Sequence, residues 1–211
     1  MARAVIIGGG TSVPLHFTPR PDDRVLCADG GAAHCLRLGL RPVLLIGDMD
    51  SARPDDIAAL ASSARCRIVR VPADKNETDT ELAVTMAIAD GAEELVLLGM
   101  TGSRLDHFCS ALLLLPSRFP PLTKATFLDE RQSVIVTATG CLVETSPGDT
   151  VSLLPVTPTV KGVCVSGVKW PLTDTDLTWG NSLGVSNRAL GEAVRVSHAA
   201  GILAVFHHRL P

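Results

Sequence analysis

The stretch Val43-Leu44-Leu45-Ile46-Gly47-Asp48-Met49-Asp50-Ser51 decides how this chain is read. An apolar run describes a buried strand, and it ends in two carboxylates one residue apart with a hydroxyl behind them. Carboxylates are costly beside an apolar sheet unless positive charge faces them. In an open parallel α/β sheet, ligands bind in the crevice beyond the carboxyl ends of the strands. The expectation is a divalent-cation site at this strand end. A strand places an x, x+2 pair on one face and a turn also converges it, so the spacing permits one metal. Both aspartates equally suit turn and cap positions ahead of a helix at Pro54.

Outward from this stretch, strand-like runs at 4–7, 25–28, 43–46, 67–71, 94–98 and 125–128 alternate with helical patterns at 32–38, 54–63, 79–90 and 105–115. Pro54 suits a first helical turn. Thr78 or Asp79 suits the cap of the helix that carries Leu82, Met86 and Ala89. Such alternation predicts a mostly parallel sheet flanked by helices. From about Ser133 the runs become short, β-branched and alternating, at 133–137, 140–145, 150–155, 160–165, 193–198 and 202–207. Pro147-Gly148-Asp149, Gly180-Asn181 and Gly191 punctuate them, which predicts a smaller all-β sandwich. The fold expected is α/β followed by that sandwich, with domains at 1–130 and 131–211.

The formal net charge of −3, without any Lys/Arg run, argues against a nucleic-acid partner. No apolar run approaches the roughly 18 residues of a membrane span. Residues 1–7 read as a first strand rather than a signal peptide, so a cytoplasmic location is expected. Cys27, Cys35, Cys66, Cys109, Cys141 and Cys164 stand singly with no C-x-x-C pair, as small hydrophobes of a reducing cytosol do. Tyrosine is absent, so ring stacking falls on few residues, Trp170 and Trp179 among them. His207 and His208 lack a metal-ligand spacing and are expected at the surface.

Polar motifs follow each of the first five strands: Gly8-Gly9-Gly10, Asp29-Gly30-Gly31, Gly47–Ser51, the run from Asp74 to Asp79, and the run from Gly99 to His107. Glycines let backbone N–H groups approach a ligand, and helix N-termini favour anions. The carboxylates come without a His/Cys cluster, which suits a hard cation such as Mg²⁺. Lys75 and Arg104 beside them suit phosphate oxygens. Metal-assisted chemistry on a polyphosphate is the expectation. No P-loop, protein-kinase signature or G-x-G-x-x-G is present. Asp79 and Asp29 are, on local grounds alone, an ordinary cap and an ordinary turn residue.

These residues resemble the thiamine pyrophosphokinase family over nearly the whole chain. The resemblance rests on Asp29-Gly30-Gly31, Gly39-Leu40-Arg41-Pro42, Gly47–Ser51, and Asp74-Lys75-Asn76-Glu77-Thr78-Asp79-Thr80-Glu81-Leu82-Ala83. It continues through Gly102-Ser103-Arg104-Leu105-Asp106-His107, Gly167-Val168-Lys169-Trp170-Pro171-Leu172 and Gly184-Val185-Ser186-Asn187. It implies transfer of pyrophosphate from Mg·ATP to the hydroxyl of thiamine, releasing AMP, by a homodimer with sites between subunits. It implies that Asp48, Asp50 and Asp79 hold the metal and act in catalysis. Asp29, Lys75, Thr78, Arg104, Asp106 and His107 would serve the nucleotide and its phosphates, and Trp170, Ser186 and Asn187 the thiamine. The chain departs from many relatives at Asn76, where they have Asp, and at Ser103, where they have Gly. Transfer to another alcohol such as a pterin, metal-dependent phosphohydrolysis, and ligand binding without turnover are the rival readings.

Overall fold

The computed structural model describes residues 2–210. The chain divides into two compact units, Met1–Leu114 with Phe127–Glu130, and Leu115–Thr126 with Arg131–Pro211.

In the first unit, β1 (Arg3–Ile7), β2 (Arg24–Ala28), β3 (Leu44–Gly47), β4 (Arg67–Arg70) and β5 (Glu94–Leu98) pair in parallel in the order β5-β1-β2-β3-β4. Between them run α1 (Ala32–Arg37), α2 (Pro54–Ala61) and α3 (Asp79–Ala89), and α4 (Leu105–Leu114) follows β5. Beyond the arginines that open β1 and β2, the inner strands are apolar because both faces are covered. Val5, Ile7, Val25, Cys27 and Leu45 pack with Ala32, Cys35 and Leu60 of α1 and α2. The alternate residues Ala4, Ile6, Leu26, Leu44 and Ile46 are buried on the opposite face. There α3 lies along β1, β2 and β3, with Ala83, Val84 and Ala87 buried. Thr78, rather than Asp79, caps α3: its hydroxyl accepts from the Glu81 N–H at 3.1 Å.

The chain builds outward from β1 through β4 and then returns to place β5 on the other side of β1. The exits of these strands border a cleft beyond their carboxyl ends, which is where an open α/β sheet binds ligands. No helix among the described residues is long and apolar enough to cross a membrane.

The division between the units runs through β6 (Lys124–Leu128). The second unit holds β7 (Gln132–Thr137), β8 (Gly140–Glu144), β9 (Thr150–Pro155), β10 (Thr159–Ser166), β11 (Leu172–Thr178), β12 (Asn187–Arg188), β13 (Ala193–Ser197) and β14 (Leu203–His208). They form two antiparallel arrays, β12-β9-β14-β7 and β11-β10-β13-β8. Val151, Leu153, Leu203 and Val205 of the first array meet Val160, Val163, Val194 and Val196 of the second in one core. This is the sandwich that the alternating runs predict.

Besides the two-residue β12, two features differ from the sequence expectation. Strand β11 was not expected, because Leu172-Thr173-Asp174-Thr175-Asp176-Leu177-Thr178 leaves only Leu177 fully buried. It is an edge strand, specified by its pairing with β10 more than by its own pattern. His207 is not at the surface. The alternation of β14 puts it on the face of Leu203 and Val205, where it is buried with Nε2 2.8 Å from Asp149 Oδ2. Asp149 Oδ2 also accepts from the Ser146 N–H, and Oδ1 accepts from the Leu210 N–H. Burial alone would push this carboxyl up, yet these donors hold it down at about 2. His207 finds its partner 58 residues away, so no local pattern announces it.

Candidate active site

The carboxylates of Asp29, Asp48 and Asp50 converge, with one oxygen of each within 4.8 Å of the others. Three local devices bring this about. Strand β3 stops at Gly47, where a Cβ would lie 2.7 Å from Asp29 Cβ, so only glycine lets the two strand ends come together. Met49 takes a left-handed φ of 68° and buries its side chain in the core with Ala52 and Leu60. Asp48 and Asp50 thereby remain together, with the Asp50 N–H donating to Asp48 Oδ1 and the Ser51 hydroxyl donating to Asp50 Oδ1. Asp29 itself sits at φ 38° as it opens a single 3-10 turn over Asp29–Gly31. Backbone strain of this kind persists where the surroundings over-determine it, and it concentrates at functional sites.

The cluster is electrostatically unsatisfied. Asp29 Oδ1 is buried without a hydrogen-bond partner. Burial, and then the charges of Asp79, Asp48 and Asp50, push its carboxyl above the ordinary range, and the neighbouring Ser51 hydroxyl only partly opposes them. Oxygen donors held close against mutual repulsion suit a hard divalent cation.

Asp29 also lines a cleft of about 360 Å³. Its walls are Gly8, Gly9 and Gly10 after β1, Gly30 and Ser51, Lys75 with Thr78, Asp79 and Thr80, and Gly99, Met100, Ser103, Arg104 and His107 after β5. The two glycine-bearing exits are laced together: the Gly8, Gly10 and Ser12 N–H groups donate to the carbonyls of Leu98, Gly99 and Thr101. A Cβ on Gly10 would come within 2.6 Å of the Gly99 carbonyl oxygen. Thr101 Oγ1 reaches the buried Asp129 at 2.9 Å, which anchors the second exit from below.

Cationic groups stand on this cleft. Lys75 Nζ lies 3.1 Å from both the Pro72 carbonyl and Asp79 Oδ1. The Asp79 contact is an ion pair without hydrogen-bond alignment, since that oxygen is otherwise unbonded. Arg104 is exposed and grips Asp106 through Nε and Nη2, and each holds the other in its charged form. His107 is exposed on the first turn of α4 at the cleft edge. Asp79 thus faces a lysine, while Asp29 joins Asp48 and Asp50. From sequence the two looked alike, because each follows a strand and opens a helical turn. Gly47 leaves the space that brings Asp29 up to the end of β3 beside Asp48 and Asp50.

In the second unit Trp170 is 53% exposed, in a bend ahead of β11. Asn187 is buried, and its amide clamps the Trp170 backbone: Oδ1 accepts from the Trp170 N–H at 3.0 Å and Nδ2 donates to the Trp170 carbonyl at 2.6 Å. Lys169 Nζ stands 4.7 Å from the indole centroid. Ser186 has a φ of 62° and donates its N–H to the Ser152 hydroxyl. The exposed ring is therefore held from behind, and Asn187 is committed to holding it.

Comparison with known proteins agrees with this division of labour. Residues 20–123 match the family model described as thiamin pyrophosphokinase, catalytic domain, and residues 141–203 match thiamin pyrophosphokinase, vitamin B1 binding domain. The thiamine pyrophosphokinase of Bacillus subtilis (strain 168) is 26% identical over 203 residues, covering 94% of each chain. A solved thiamin pyrophosphokinase family protein from Enterococcus faecalis superposes with a TM-score of 0.80 at 27% identity, over 100% of both chains. The thiamin pyrophosphokinase from Geobacillus thermodenitrificans gives 0.81 at 27% identity, over 100% of this chain and 98% of that one.

Proposed function

The chain belongs to the thiamine pyrophosphokinase family, and on that footing we propose that it transfers pyrophosphate from Mg·ATP to the hydroxyl of thiamine, releasing AMP. The observation that carries the reading is one cleft that combines the Asp29 corner of an unsatisfied carboxylate cluster with Lys75 and Arg104. The cluster fits Mg²⁺ by donor chemistry and by the unbonded oxygen of Asp29. Asp29, Asp48 and Asp50 would hold the ion. When bound, it neutralises and orients phosphate oxygens.

The remaining work belongs to the chain's own groups. The Gly8–Gly10 and Gly99–Gly102 exits give phosphates close access to backbone. Arg104 exchanges Asp106 for a phosphate oxygen, and Lys75 exchanges Asp79, which keeps both cations oriented before substrate arrives. Thr78 and His107 border the same phosphates. The thiamine oxygen attacks the β-phosphorus in line, its bond forms as the bond to the α-phosphate oxygen breaks, AMP departs with that oxygen, and the hydroxyl proton passes to solvent. A loose transition state makes positioning and charge neutralisation the main contributions. Trp170 offers its face to the thiamine cation, an attraction of about 1–2 kcal/mol. Asn187 acts through Trp170, and Ser186 adjoins it. The working form is a cytoplasmic homodimer with sites between subunits.

The test is AMP and thiamine diphosphate appearing together from Mg·ATP and thiamine. AMP released without thiamine would replace this reading with hydrolysis. Trp170→Ala should raise the KM for thiamine about tenfold, as loss of ~1.4 kcal/mol requires, and leave the KM for ATP unchanged.

A further inference from the structure

His34 lies outside every motif that the sequence singles out, and it does not line the cleft. It sits on α1, half-buried, with Nε2 2.8 Å from the Gly10 carbonyl oxygen. A carbonyl only accepts, so Nε2 carries the proton and donates it. Burial disfavours the charged ring, and the Gly10 bond opposes that effect. The ring is thus a neutral donor with a defined tautomer.

What it holds is the exit of β1. One edge of residues 8–12 is laced to the β5 exit through Gly8, Gly10 and Ser12. Gly9 presses on Gly30, where a Cβ would come within 3.2 Å of the Gly30 Cα. Among the described residues the Gly9 N–H has no hydrogen-bond partner, and Gly9 lines the cleft. Three consecutive glycines have high conformational freedom, and a ligand that must order them loses affinity. His34 is the only side chain that hydrogen-bonds to this triplet among the described residues.

We propose that His34 is a positioning residue for nucleotide binding, which fixes the Gly8–Gly10 segment through the Gly10 carbonyl so that its backbone is ordered before the phosphates arrive. This rests on the reading of the cleft as the ATP site.

The experiment compares wild type with His34→Leu and His34→Gln. Thermal shift of the wild type by Mg·ATP tests the parent reading first; no shift overturns both. Given that shift, His34→Leu should raise the KM for ATP about fivefold, the effect of one lost neutral hydrogen bond, with kcat and the KM for thiamine within twofold. His34→Gln retains an N–H of similar reach and should restore the ATP KM. An unchanged ATP KM in His34→Leu, or a glutamine variant no better than leucine, overturns the proposal and assigns His34 to packing alone. If the leucine variant does not fold, His34→Asn, polar but one methylene shorter than glutamine, replaces it. Asparagine must then behave as leucine was expected to, and equality with glutamine overturns the proposal.

Discussion

Asp29 in the first unit and Asp149 in the second are both buried carboxylates, and their surroundings are opposite. Asp149 accepts from His207, Ser146 and Leu210 and is held down at about 2. Asp29 faces Asp48, Asp50 and Asp79, has an oxygen with no donor, and is pushed up. The first arrangement stabilises the fold with a charge whose partners are all internal. The second keeps a charge poorly satisfied within the protein, so that its partner is an external cation. Burial is common to both, so burial alone does not distinguish a structural acid from a functional one. The donor census does.

The contrast can be broken from the functional side first. Asp48→Asn and Asp50→Asn should each lower AMP formation by at least ~10³-fold, about 4 kcal/mol of transition-state stabilisation, while the melting temperature stays level or rises. Rapid-quench measurement of AMP beside a thermal melt checks both halves, and near-normal turnover would remove the metal assignment. From the structural side, Asp149→Ala should cost about 3–5 kcal/mol in urea unfolding, because it leaves the buried His207 ring and two part-buried N–H groups without their acceptor. A loss below ~1 kcal/mol would show that water replaces the carboxylate.

Ligand sharpens the same comparison. Mg²⁺ at a hundredfold excess over its Kd should stabilise the wild type by about 2.7 kcal/mol. A chelator should reverse the effect, and Asp48→Asn should weaken or abolish it. Stabilisation that survives in that variant would place the ion elsewhere.

The two acids also carry opposite pH signatures. Asp149 lies below its unfolded value, so its contribution is complete above about pH 4 and is lost as pH falls towards 2. Asp29 lies above its unfolded value, so its ionisation destabilises the metal-free fold, and that penalty is relieved as pH falls through its folded value. Asp29→Asn should therefore raise metal-free stability at pH 7 while lowering activity; asparagine also tolerates the φ of 38° at this position. Unfolding titrations of wild type and both variants between pH 2 and 7 separate the two signs.

Much of this was written locally. The β3 run reads as buried because its neighbours cover both faces, and Gly47–Ser51 reads as a site because two carboxylates end it. The α/β alternation and the later β-branched runs are both periodic signals, and the fold follows them. Edge strand β11 escaped, since an edge exposes most of its side chains and erases the alternation.

What sequence alone determined about this protein is where the acidic, basic and glycine-rich residues fall relative to strand ends, since that order follows from hydrophobic periodicity and turn chemistry. Tertiary structure decided the pairings. Gly47 admits Asp29 to the Asp48–Asp50 cluster, Lys75 takes up Asp79, Asp149 reaches His207 across 58 residues, and His34 reaches Gly10 across 24. Each of these is a through-space contact of a few ångströms between distant positions, and its energy depends on distance and burial, which no local run of residues encodes.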